Sequence, residues 1–387
     1  MSVKIAMNKS KIIELVKRNV WLYKIYKSVM SIFVNLLKVF VKTDEKLILF
    51  VSYGGRYYSD SPKCIYEFMK GDPRFADYKL VWAFRNPNQF DVDRKIRIDT
   101  LKYYITALKA RCWITNVIIE RALSFTGKHT YYFHTTHGTL PKLTGYDARS
   151  DVFGWDFKCH YDCSCAQSEI EAEYQMNMFG LKKEQILVCG YPKNDALAGA
   201  TAEDRERILK KLSISPDKNV ILYAPTFRDG TSDDAECHIN LKMWEDRLGD
   251  EFVFLFRAHP VVASGANIDS STGFAYDVSS YPDNSELMIA SDYLISDYSG
   301  IFFEYAVLRR PMFCYAYDYE EYQKTRGLYF DIRKELPSGD EEFIIEHIKN
   351  ITKGDIRLVN SFVDKYVSEF GNATKAAVDN IYNSITQ

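Results

Sequence analysis

The chain has 387 residues, of which 47% are hydrophobic and 26% are charged, and its net charge is −2. This length exceeds what one hydrophobic core usually supports, so we expect two domains of roughly 150–200 residues each. The composition excludes a disordered protein. Because the charge is nearly balanced, nucleic acid is not expected as a partner.

The first 42 residues combine cations with large apolar side chains. They carry nine Lys or Arg side chains and a single Glu. The longest uncharged run, Ser28–Leu37, has ten residues, whereas a helix that spans a bilayer needs about 20. No small-residue cleavage site follows, so a signal peptide is not expected. Residues 1–45 are predicted to form basic amphipathic helices on an anionic membrane, although a helix packed on the protein would have a similar pattern.

Strand-like and helix-like segments alternate from Lys46 onward. This alternation predicts an α/β protein with two Rossmann-like, doubly wound domains that face a cleft. We place the first domain at residues 46–190 and the second at residues 191–387, whose last helices, from Glu341, are expected to return to the first domain. The predicted strands are Leu47–Tyr53, Leu80–Phe84, Trp113–Val117, Tyr131–Thr135, Cys159–Ala166, Ile186–Gly190, Val220–Ala224, Phe252–Phe256, Phe274–Asp277, Tyr293–Ile295 and Met312–Tyr315. The predicted helices include Pro62–Lys70, Leu101–Ala110, Ser168–Phe179, Ala202–Leu212, Leu241–Leu248 and Ile301–Leu308.

The eight cysteines favour a reducing compartment over a disulfide-linked scaffold. The densest group runs from Cys159 to Cys165 and includes His160. Zinc sites usually contain two pairs of closely spaced ligands, and the sequence has no second pair. Buried thiols on a strand are therefore expected, and no metal site is predicted.

Polar clusters follow four of the predicted strands. They are His134–Thr139, Ala224–Asp229, Arg257–Pro260 and Ser296–Gly300. Each cluster alone is a weak signal, but together they supply imidazoles, guanidinium groups, hydroxyls and glycines that let the backbone approach a ligand. Ser299 falls where a helix begins, so it either caps that helix or helps the first-turn N–H groups to hold a phosphate. The combination indicates an anionic, nucleotide-like substrate.

Several familiar motifs are missing from the sequence. It has no Gly-x-x-x-x-Gly-Lys-Ser/Thr loop, no Gly-x-Gly-x-x-Gly segment after the first strand and no His-Glu-x-x-His pair. A P-loop NTPase, a standard dinucleotide oxidoreductase and a zinc protease are therefore unsupported.

Taken in order, the clusters and their neighbours resemble the CDP-glycerol glycerophosphotransferases, which build bacterial teichoic acids and related capsule polymers. The resemblance covers roughly residues 46–335, and Ser59–Lys63 matches a further recurrent segment. The segments that carry it are His137–Thr139, Gly190–Asp195, Ile221–Asp229, Arg257–Pro260, Ser296–Ser299, Tyr317–Tyr322 and Arg326–Asp331.

The resemblance implies a GT-B fold and a peripheral enzyme on the cytoplasmic face of the membrane. Such an enzyme transfers glycerol phosphate from CDP-glycerol to a hydroxyl of a lipid-linked saccharide acceptor and releases CMP. The first domain would hold the acceptor and the catalytic base, and the second the CDP-polyol. By position His137 would be the general base, with His259 as a second catalytic histidine. The substrate-binding positions implied are Gly138, Thr139, Asn194, Thr226, Arg228, Arg257, Ser299, Gly300 and Glu304.

The implied chemistry suits these side chains. An imidazole, with an ordinary pKa near about 6.5, can accept the acceptor's proton at neutral pH, for a gain of roughly 10²–10⁴ in rate. Arginines, histidine and the helix start at Ser299 would stabilise the charge on the phosphates. No cofactor is therefore predicted, and Mg²⁺ is compatible with the site without being required.

The sequence departs from the family pattern at several positions. Leu140-Pro141-Lys142 stands where the order Pro-Leu-Lys is usual, and Gly300 replaces the second of two serines. Glu304 stands where Asp is usual, and Phe227 where Trp is common. These changes are compatible with the same reaction class, but they concern the identity of the polyol and of the acceptor.

Alternatives stay open within and beyond this class. The length suits a primase-like enzyme, but a polymerase fits the same residues, and the oligomeric state is not specified. The donor could instead be CDP-ribitol, or the product a capsule polymer. Outside the class stand a nucleotide-sugar glycosyltransferase of GT-B fold and a non-catalytic, membrane-bound partner in polymer export.

Overall fold

The computed structural model describes residues 20–387 except 121–122, 124, 140, 149–159, 227, 229–236 and 259–267. The chain forms two compact units. The first comprises the described residues of Met1–Thr136, Gly154–Ser164 and Val378–Gln387, and the second comprises those of His137–Phe153 and Cys165–Ala377.

The first sheet has the strand order β3-β2-β1-β4-β5-β6-β7. The described pairs from β3 to β6 are all parallel. Leu47–Val51 of β1 is buried throughout, as expected for a strand covered on both faces. The seven strands are β1 (Asp44–Val51), β2 (Lys79–Phe84), β3 (Lys95–Arg97), β4 (Ala110–Thr115), β5 (Tyr131–His134), β6 (Cys163–Ala166) and β7 (Ile186–Val188).

The second sheet is parallel throughout, with the order β10-β9-β8-β11-β12. Leu222 and Ile221 belong to two different buried clusters because neighbouring side chains of a strand point to opposite faces. The strands are β8 (Asn219–Tyr223), β9 (Phe252–Phe256), β10 (Ala275–Asp277), β11 (Tyr293–Ser296) and β12 (Met312–Cys314).

α-Helices connect most of the consecutive strands in the described chain, which confirms the predicted α/β alternation. The predicted helix from Ile301 to Leu308 is an α-helix only over Ile301–Tyr305 and continues as a 3₁₀ turn over Ala306–Leu308. The α-helices are Val20–Phe40, Asp60–Gly71, Leu101–Lys109, Glu169–Phe179, Asp195–Ala198, Ala202–Leu212, Leu241–Leu248, Asn284–Ala290, Ile301–Tyr305, Tyr319–Thr325, Glu341–Lys349, Lys353–Tyr366 and Ala373–Thr386.

The two ends of the chain both contribute helices to the first unit. The end of helix Ala373–Thr386 is held there by an ion pair between Asp379 and Arg74 (2.8 Å) and by a hydrogen bond from the Tyr131 hydroxyl to Asn380 (2.8 Å). Of the helices expected to return from Glu341 onward, only the end of this one belongs to the first unit, whereas Glu341–Lys349 and Lys353–Tyr366 belong to the second. At the other end, helix Val20–Phe40 begins the described structure, and among the described helices none is both long and apolar enough to cross a bilayer.

The second sheet brings the described parts of three predicted polar clusters to one edge, namely those that follow β8, β9 and β11. In register, Tyr223 of β8 lies opposite Phe256 of β9 and Ile295 of β11. The residues that follow, Thr226 and Arg257 among them, therefore leave the sheet at the same side. Strand order reverses between β8 and β11, which is the point where open α/β sheets bind their ligands.

Gly190 provides a test of the packing in the second unit. Its φ is +85°, and a Cβ atom there would lie 2.5 Å from the carbonyl oxygen of Glu369. Gly190→Ala should therefore lower the free energy of unfolding by at least about 1 kcal/mol in urea denaturation. The matched control is Gly71→Ala, at the end of a helix with open space around it, which should be neutral or stabilising. Equal stability of the two variants would contradict this packing.

Candidate active site

The loops after β8 and β11 are joined by the carboxylate of Asp297. The backbone N–H groups of Thr226 (2.8 Å) and Tyr298 (2.6 Å) both donate to its Oδ1 atom. Asp297 is buried, so these hydrogen bonds form out of contact with bulk water, where they are strong. The carboxylate thus fixes the two loops at the reversal point of the sheet.

Arg228 is bound by two carboxylates. Its Nη2 atom lies 2.8 Å from Asp297 Oδ2, and it forms a two-pronged pair with Asp318 at 2.7 and 3.0 Å. Burial lowers the pKa of Arg228, but the two carboxylates outweigh burial and raise it. The sequence predicts that Arg228 binds substrate; in the structure its charge is already balanced by protein groups.

Aromatic rings enclose the same guanidinium group. Arg228 lies 5.1 Å from the ring centres of Tyr298 and Tyr322, which stack on each other at 3.9 Å. The Tyr298 hydroxyl donates to Asp318 Oδ1 (3.0 Å). Ion pairs and cation–π contacts together hold Arg228 rigidly, so its clearest role is to hold the loops in place.

Arg257 differs from Arg228 because, within the described part of the chain, no carboxylate is hydrogen-bonded to it. Its Nη1 atom donates to the backbone carbonyls of Val278 (3.1 Å) and Tyr281 (2.9 Å). Burial lowers the pKa of Arg257, and the more distant charges of Asp283 and Glu304 only partly oppose this. An anion from outside the protein would stabilise this cation.

The loop of residues 137–139, called the His137 loop below, lies in the second unit. It is entered through Thr136, whose φ is +52°, and contains Gly138 at φ +136°. A Cβ at Gly138 would lie 3.2 Å from Glu304 Oε1, so glycine is needed for both backbone angle and space. The His137 side chain is exposed. This strained backbone leaves the His137 side chain exposed to solvent and brings the adjacent Gly138 close to Glu304.

Lys193 ties the His137 loop to the helix that follows β11. Its ammonium group donates to the His137 carbonyl oxygen and to Glu304 Oε1, both at 2.8 Å. A Cβ at Gly300 would lie 2.6 Å from the carbonyl oxygen of Thr139, so the loop and the start of this helix are in close contact. The structure therefore brings together His137, Gly138, Thr139, Gly300 and Glu304.

A chain of side-chain amides continues from Thr139. Gln167 Nε2 donates to the Thr139 hydroxyl (2.7 Å), and Asn194 Nδ2 donates to Gln167 Oε1 (3.3 Å). Among the described residues, Asn194 Oδ1 and the Thr226 hydroxyl are buried and have no hydrogen-bond partner. Buried polar atoms normally find partners, so these two atoms are candidates to bind a ligand.

Two predicted site residues, Ser299 and His259, stand apart from these contacts. Ser299 Oγ accepts a hydrogen bond from the N–H of Ile301 (3.3 Å), as an N-terminal cap would. His259, like Phe227, lies outside the described residues. The described part of the chain contains no group of three or more His, Cys, Asp or Glu side chains placed to hold a metal ion.

Sequence reasoning missed Lys193 and Gln167 as members of this site. Lys193 lies within the segment Gly190–Asp195 that carries the family resemblance, so its position was a usable signal. Gln167 follows β6 directly and belongs to no such segment. Its hydrogen bond to Thr139 depends on the folded structure and could not be predicted from the sequence.

Comparison with known families identifies the chain. Residues 33–386 match the family model described as CDP-Glycerol:Poly(glycerophosphate) glycerophosphotransferase. The chain belongs to this family.

Named relatives agree with this assignment. The chain is 32% identical to the teichoic acid poly(glycerol phosphate) polymerases of Staphylococcus epidermidis and Bacillus subtilis, over 88% and 97% of its own length. It spans only about half of these relatives, 51% and 53% respectively. It is 30% identical to the teichoic acid glycerol-phosphate transferase of Staphylococcus aureus, over 88% of this chain and 93% of that protein.

The fold is that of a solved member of the family. The structure of the wall teichoic acid polymerase TagF superposes with a TM-score of 0.82 at 29% identity, over 100% of this chain and 98% of that one. A histidine-to-asparagine variant of TagF has also been solved after a soak with CDPG. The predicted GT-B fold, with its two parallel sheets, is confirmed.

The Arg228–Asp318 pair predicts a pH-dependent stability. Burial raises the pKa of Asp318, but Arg228 and Tyr298 lower it below the ordinary value of 3.8. The pair is therefore fully stabilising above the unfolded-state pKa, and its contribution is lost as pH falls through the lower folded-state pKa. Asp318→Asn should cost about 2 kcal/mol of unfolding free energy at neutral pH, and this deficit should shrink toward about pH 3.

Thermal unfolding of the wild type and the variant across this pH range measures the deficit. The control is Asp364→Asn, which breaks an exposed ion pair with Arg309 (3.1 Å) and should change stability little. A deficit for Asp318→Asn that is the same in acid as at neutral pH would contradict the ionic account.

Proposed function

We propose that the chain transfers glycerol phosphate from CDP-glycerol to a hydroxyl group of a lipid-linked saccharide acceptor and releases CMP. The product would be a teichoic acid or a related cell-surface polymer. Family membership and the similarity to TagF support this reaction class.

One observation assigns the proposed reaction to specific residues. The exposed His137 imidazole is presented on a loop that Lys193 links to Glu304, and Glu304 in turn acts electrostatically on Arg257. A proton acceptor and a cation in need of an anion therefore belong to one connected group of residues in the second unit. This is what the transfer of a phosphate to a hydroxyl requires.

In the proposed reaction, the acceptor oxygen attacks the β-phosphorus of CDP-glycerol while His137 takes the hydroxyl proton. An oxygen–phosphorus bond forms, and the bond from the β-phosphorus to the bridging oxygen breaks. CMP leaves with that electron pair. General bases of this kind contribute roughly 10²–10⁴ in rate.

Other residues would hold the donor. We assign Arg257 to the charge on the diphosphate and the departing CMP, because fixed cations stabilise such charge best in a partly buried site. The family resemblance adds His259 to the same role. The buried Thr226 hydroxyl can donate to a phosphate oxygen, and Asn194 Oδ1 can accept from a ligand hydroxyl or amino group. Gly138 and Gly300 let the backbone approach a ligand next to Thr139.

The second candidate is a polymerase, which adds many glycerol phosphate units to each acceptor. TagF, which is named a polymerase, matches the whole of this chain. The sequence analysis predicts a primase-like enzyme. A primase adds one or a few units to each acceptor, whereas a polymerase gives a ladder of products separated by one glycerol phosphate, so one mass spectrum distinguishes them.

The helix Val20–Phe40 supports an anionic membrane surface as a partner. Val34 is fully buried against the protein, whereas Trp21 (76%), Ile32 (63%) and Val39 (72%) are mostly exposed. Spacings of three and four residues place the exposed apolar side chains on one stripe. The stripe consists of Trp21, Ile25, Val29, Ile32, Leu36 and Val39. We infer that it lies in the membrane interface, on the cytoplasmic face where the lipid-linked acceptor is met.

The reaction is tested with the purified chain, CDP-glycerol and a synthetic lipid-linked disaccharide. We expect release of CMP and a mass increase by glycerol phosphate, with weaker or no transfer from CDP-ribitol. His137→Ala should lower turnover at least ~10²-fold, because no general base then takes the proton from the attacking hydroxyl group. The affinity for CDP-glycerol should change little.

The matched control for this variant is His129→Ala, which removes an exposed imidazole from the first unit. Turnover of that variant should equal that of the wild type. Unchanged turnover in His137→Ala would remove His137 from the mechanism, and release of a nucleoside diphosphate would indicate a glycosyltransferase instead.

Membrane binding is tested by sedimentation with anionic vesicles. The double variant Trp21→Glu with Ile32→Glu should bind at least roughly tenfold more weakly, since each buried apolar side chain contributes about 1.5–3 kcal/mol. Leu101→Glu, at another exposed apolar position (56%) of the first unit, is the control and should bind as the wild type does. If the double variant sediments like the wild type, the membrane contact lies elsewhere.

A further inference from the structure

The carboxyl ends of β1 and β4 form the point where strand order reverses in the first sheet. β1 pairs with β2 on one side and with β4 on the other, and later strands extend the sheet outward from both. Val51 and Thr115, the last residues of β1 and β4, lie opposite each other in register. Open α/β sheets bind their ligands at such a point. The loop of residues 52–59, which follows β1 there, is called the Tyr57 loop below.

The backbone of the Tyr57 loop is strained and held in place by its neighbours. Tyr53 has a φ of +46°, and Gly54 and Gly55 follow at +62° and +79°. A bulky residue rarely adopts this left-handed region, so the surrounding contacts must enforce it. The N–H of Tyr53 donates to Oδ1 of Asn116, which follows β4 directly (2.8 Å), and the Tyr53 hydroxyl donates to Asp60 Oδ2 (2.7 Å). Strain of this kind is concentrated at functional sites.

The first residue of the loop has a buried hydroxyl group. Ser52 is fully buried, and its carbonyl accepts from the N–H of Gly55 (2.9 Å), which closes the turn. Within the part of the chain that the structure describes, Ser52 Oγ has no hydrogen-bond partner. Buried hydroxyls normally find a partner. This hydroxyl is therefore available to a ligand group that can donate or accept a hydrogen bond.

The exposed side of the loop carries an aromatic ring and two cations. The Tyr57 side chain is 49% exposed, although its ring contacts that of Tyr53 edge to face, with 5.8 Å between the ring centres. Arg56 and Arg85 are both exposed. Nε of Arg85 donates to the carbonyl of Gly54 (3.2 Å), so this guanidinium group lies against the loop. The loop thus offers an apolar ring and positive charge to solvent.

These features match a saccharide that carries phosphate. The C–H groups on one face of a sugar ring form an apolar surface that packs on an aromatic ring, and the sugar hydroxyls need partners such as the Ser52 hydroxyl. Arginines pair with phosphate through parallel hydrogen bonds. A nucleobase would also stack on a tyrosine, but the proposed function places the donor nucleotide in the second unit. The acceptor is the substrate that remains.

We propose that the Tyr57 loop is the binding site for the saccharide of the acceptor. The sugar ring stacks on Tyr57, and the phosphate that links the saccharide to its lipid pairs with Arg56 and Arg85. This inference rests on the proposed function for the identity of the acceptor, and on the geometry of the first unit for the residues. Tyr53 and Asn116 are positioning residues, because they hold the loop and touch no substrate.

The test is steady-state kinetics of the full chain with CDP-glycerol and a soluble, short-chain form of the lipid-linked disaccharide. Tyr57→Ala should raise the KM for the acceptor at least roughly tenfold, because the stacking surface is lost. The KM for CDP-glycerol and the kcat at saturating acceptor should not change. Tyr57→Phe should retain most of the acceptor affinity, whereas Tyr57→Leu should behave like Tyr57→Ala.

The matched control is Phe68→Ala, which removes another exposed ring (38%) from the first unit and should behave as the wild type. Thermal unfolding gives a second readout, in which Tyr57→Ala should match the wild type because the ring is half exposed. An unchanged KM for the acceptor, or an equal rise in the KM for CDP-glycerol, would overturn the proposal.

The charge of the loop is tested by isothermal titration of the same disaccharide with and without its phosphate. Arg56→Gln should weaken binding of the phosphorylated form roughly tenfold and leave binding of the other form unchanged. Tyr57→Ala should weaken both. The control is Arg97→Gln, at an exposed arginine of β3, which should bind both as the wild type does. Equal affinity of Arg56→Gln and the wild type for the phosphorylated form would overturn the phosphate contact.

The two hypotheses fail in different ways. If the wild type transfers glycerol phosphate and Tyr57→Ala has an unchanged acceptor KM, the proposed function stands and this site fails. If the wild type transfers nothing, the proposed function fails, and the titration with the phosphorylated disaccharide tests the loop by itself. Weaker binding by Tyr57→Ala would then still support a saccharide site. Equal binding, or no binding by the wild type, would overturn it.

Discussion

The bonds of the Asp297 carboxylate are the constraint on which the candidate site depends. One oxygen holds the loops after β8 and β11 together through two backbone N–H groups, and the other holds Arg228. Arg228 is held in addition by Asp318 and by stacked tyrosines. These contacts occupy both oxygens of the Asp297 carboxylate.

This division of charges explains how one sheet edge can be rigid and still attract an anion. Paired cations, Arg228 and Lys193, position loops. Among the described residues no carboxylate is hydrogen-bonded to Arg257, so this cation can attract a ligand that carries phosphates. Such fixed charges need little rearrangement when the ligand arrives, which is the usual source of electrostatic stabilisation in phosphoryl transfer.

Most of the fold could be predicted from the sequence because most of its strands are strongly apolar. Segments such as Phe252–Phe256 are buried on both faces and could be predicted from composition alone. The three-residue strand Lys95–Arg97 could not, since its residues are largely polar and it is held by pairing with β2. Length and apolarity decide which strands a sequence reveals.

The candidate site was only partly predictable. Resemblance to a family pointed to the His137 loop and to Glu304, but not to their link through Lys193. Arg228 pairs with Asp297 and Asp318, which lie 69 and 90 residues further along the chain. The sequence alone therefore could not show that the charge of Arg228 is neutralised by these carboxylates. The departure from the family at Gly300 also gains a reason, because a side chain there would collide with the Thr139 carbonyl.

A crystal structure of the chain with CDP-glycerol bound would test the proposed site most directly. We predict that the diphosphate lies against Arg257 and the Thr226 hydroxyl. The β-phosphorus should face the His137 imidazole, with room between them for the hydroxyl group of the acceptor. A diphosphate bound away from the carboxyl ends of β8 and β11, or an imidazole directed away from the phosphorus, would contradict it.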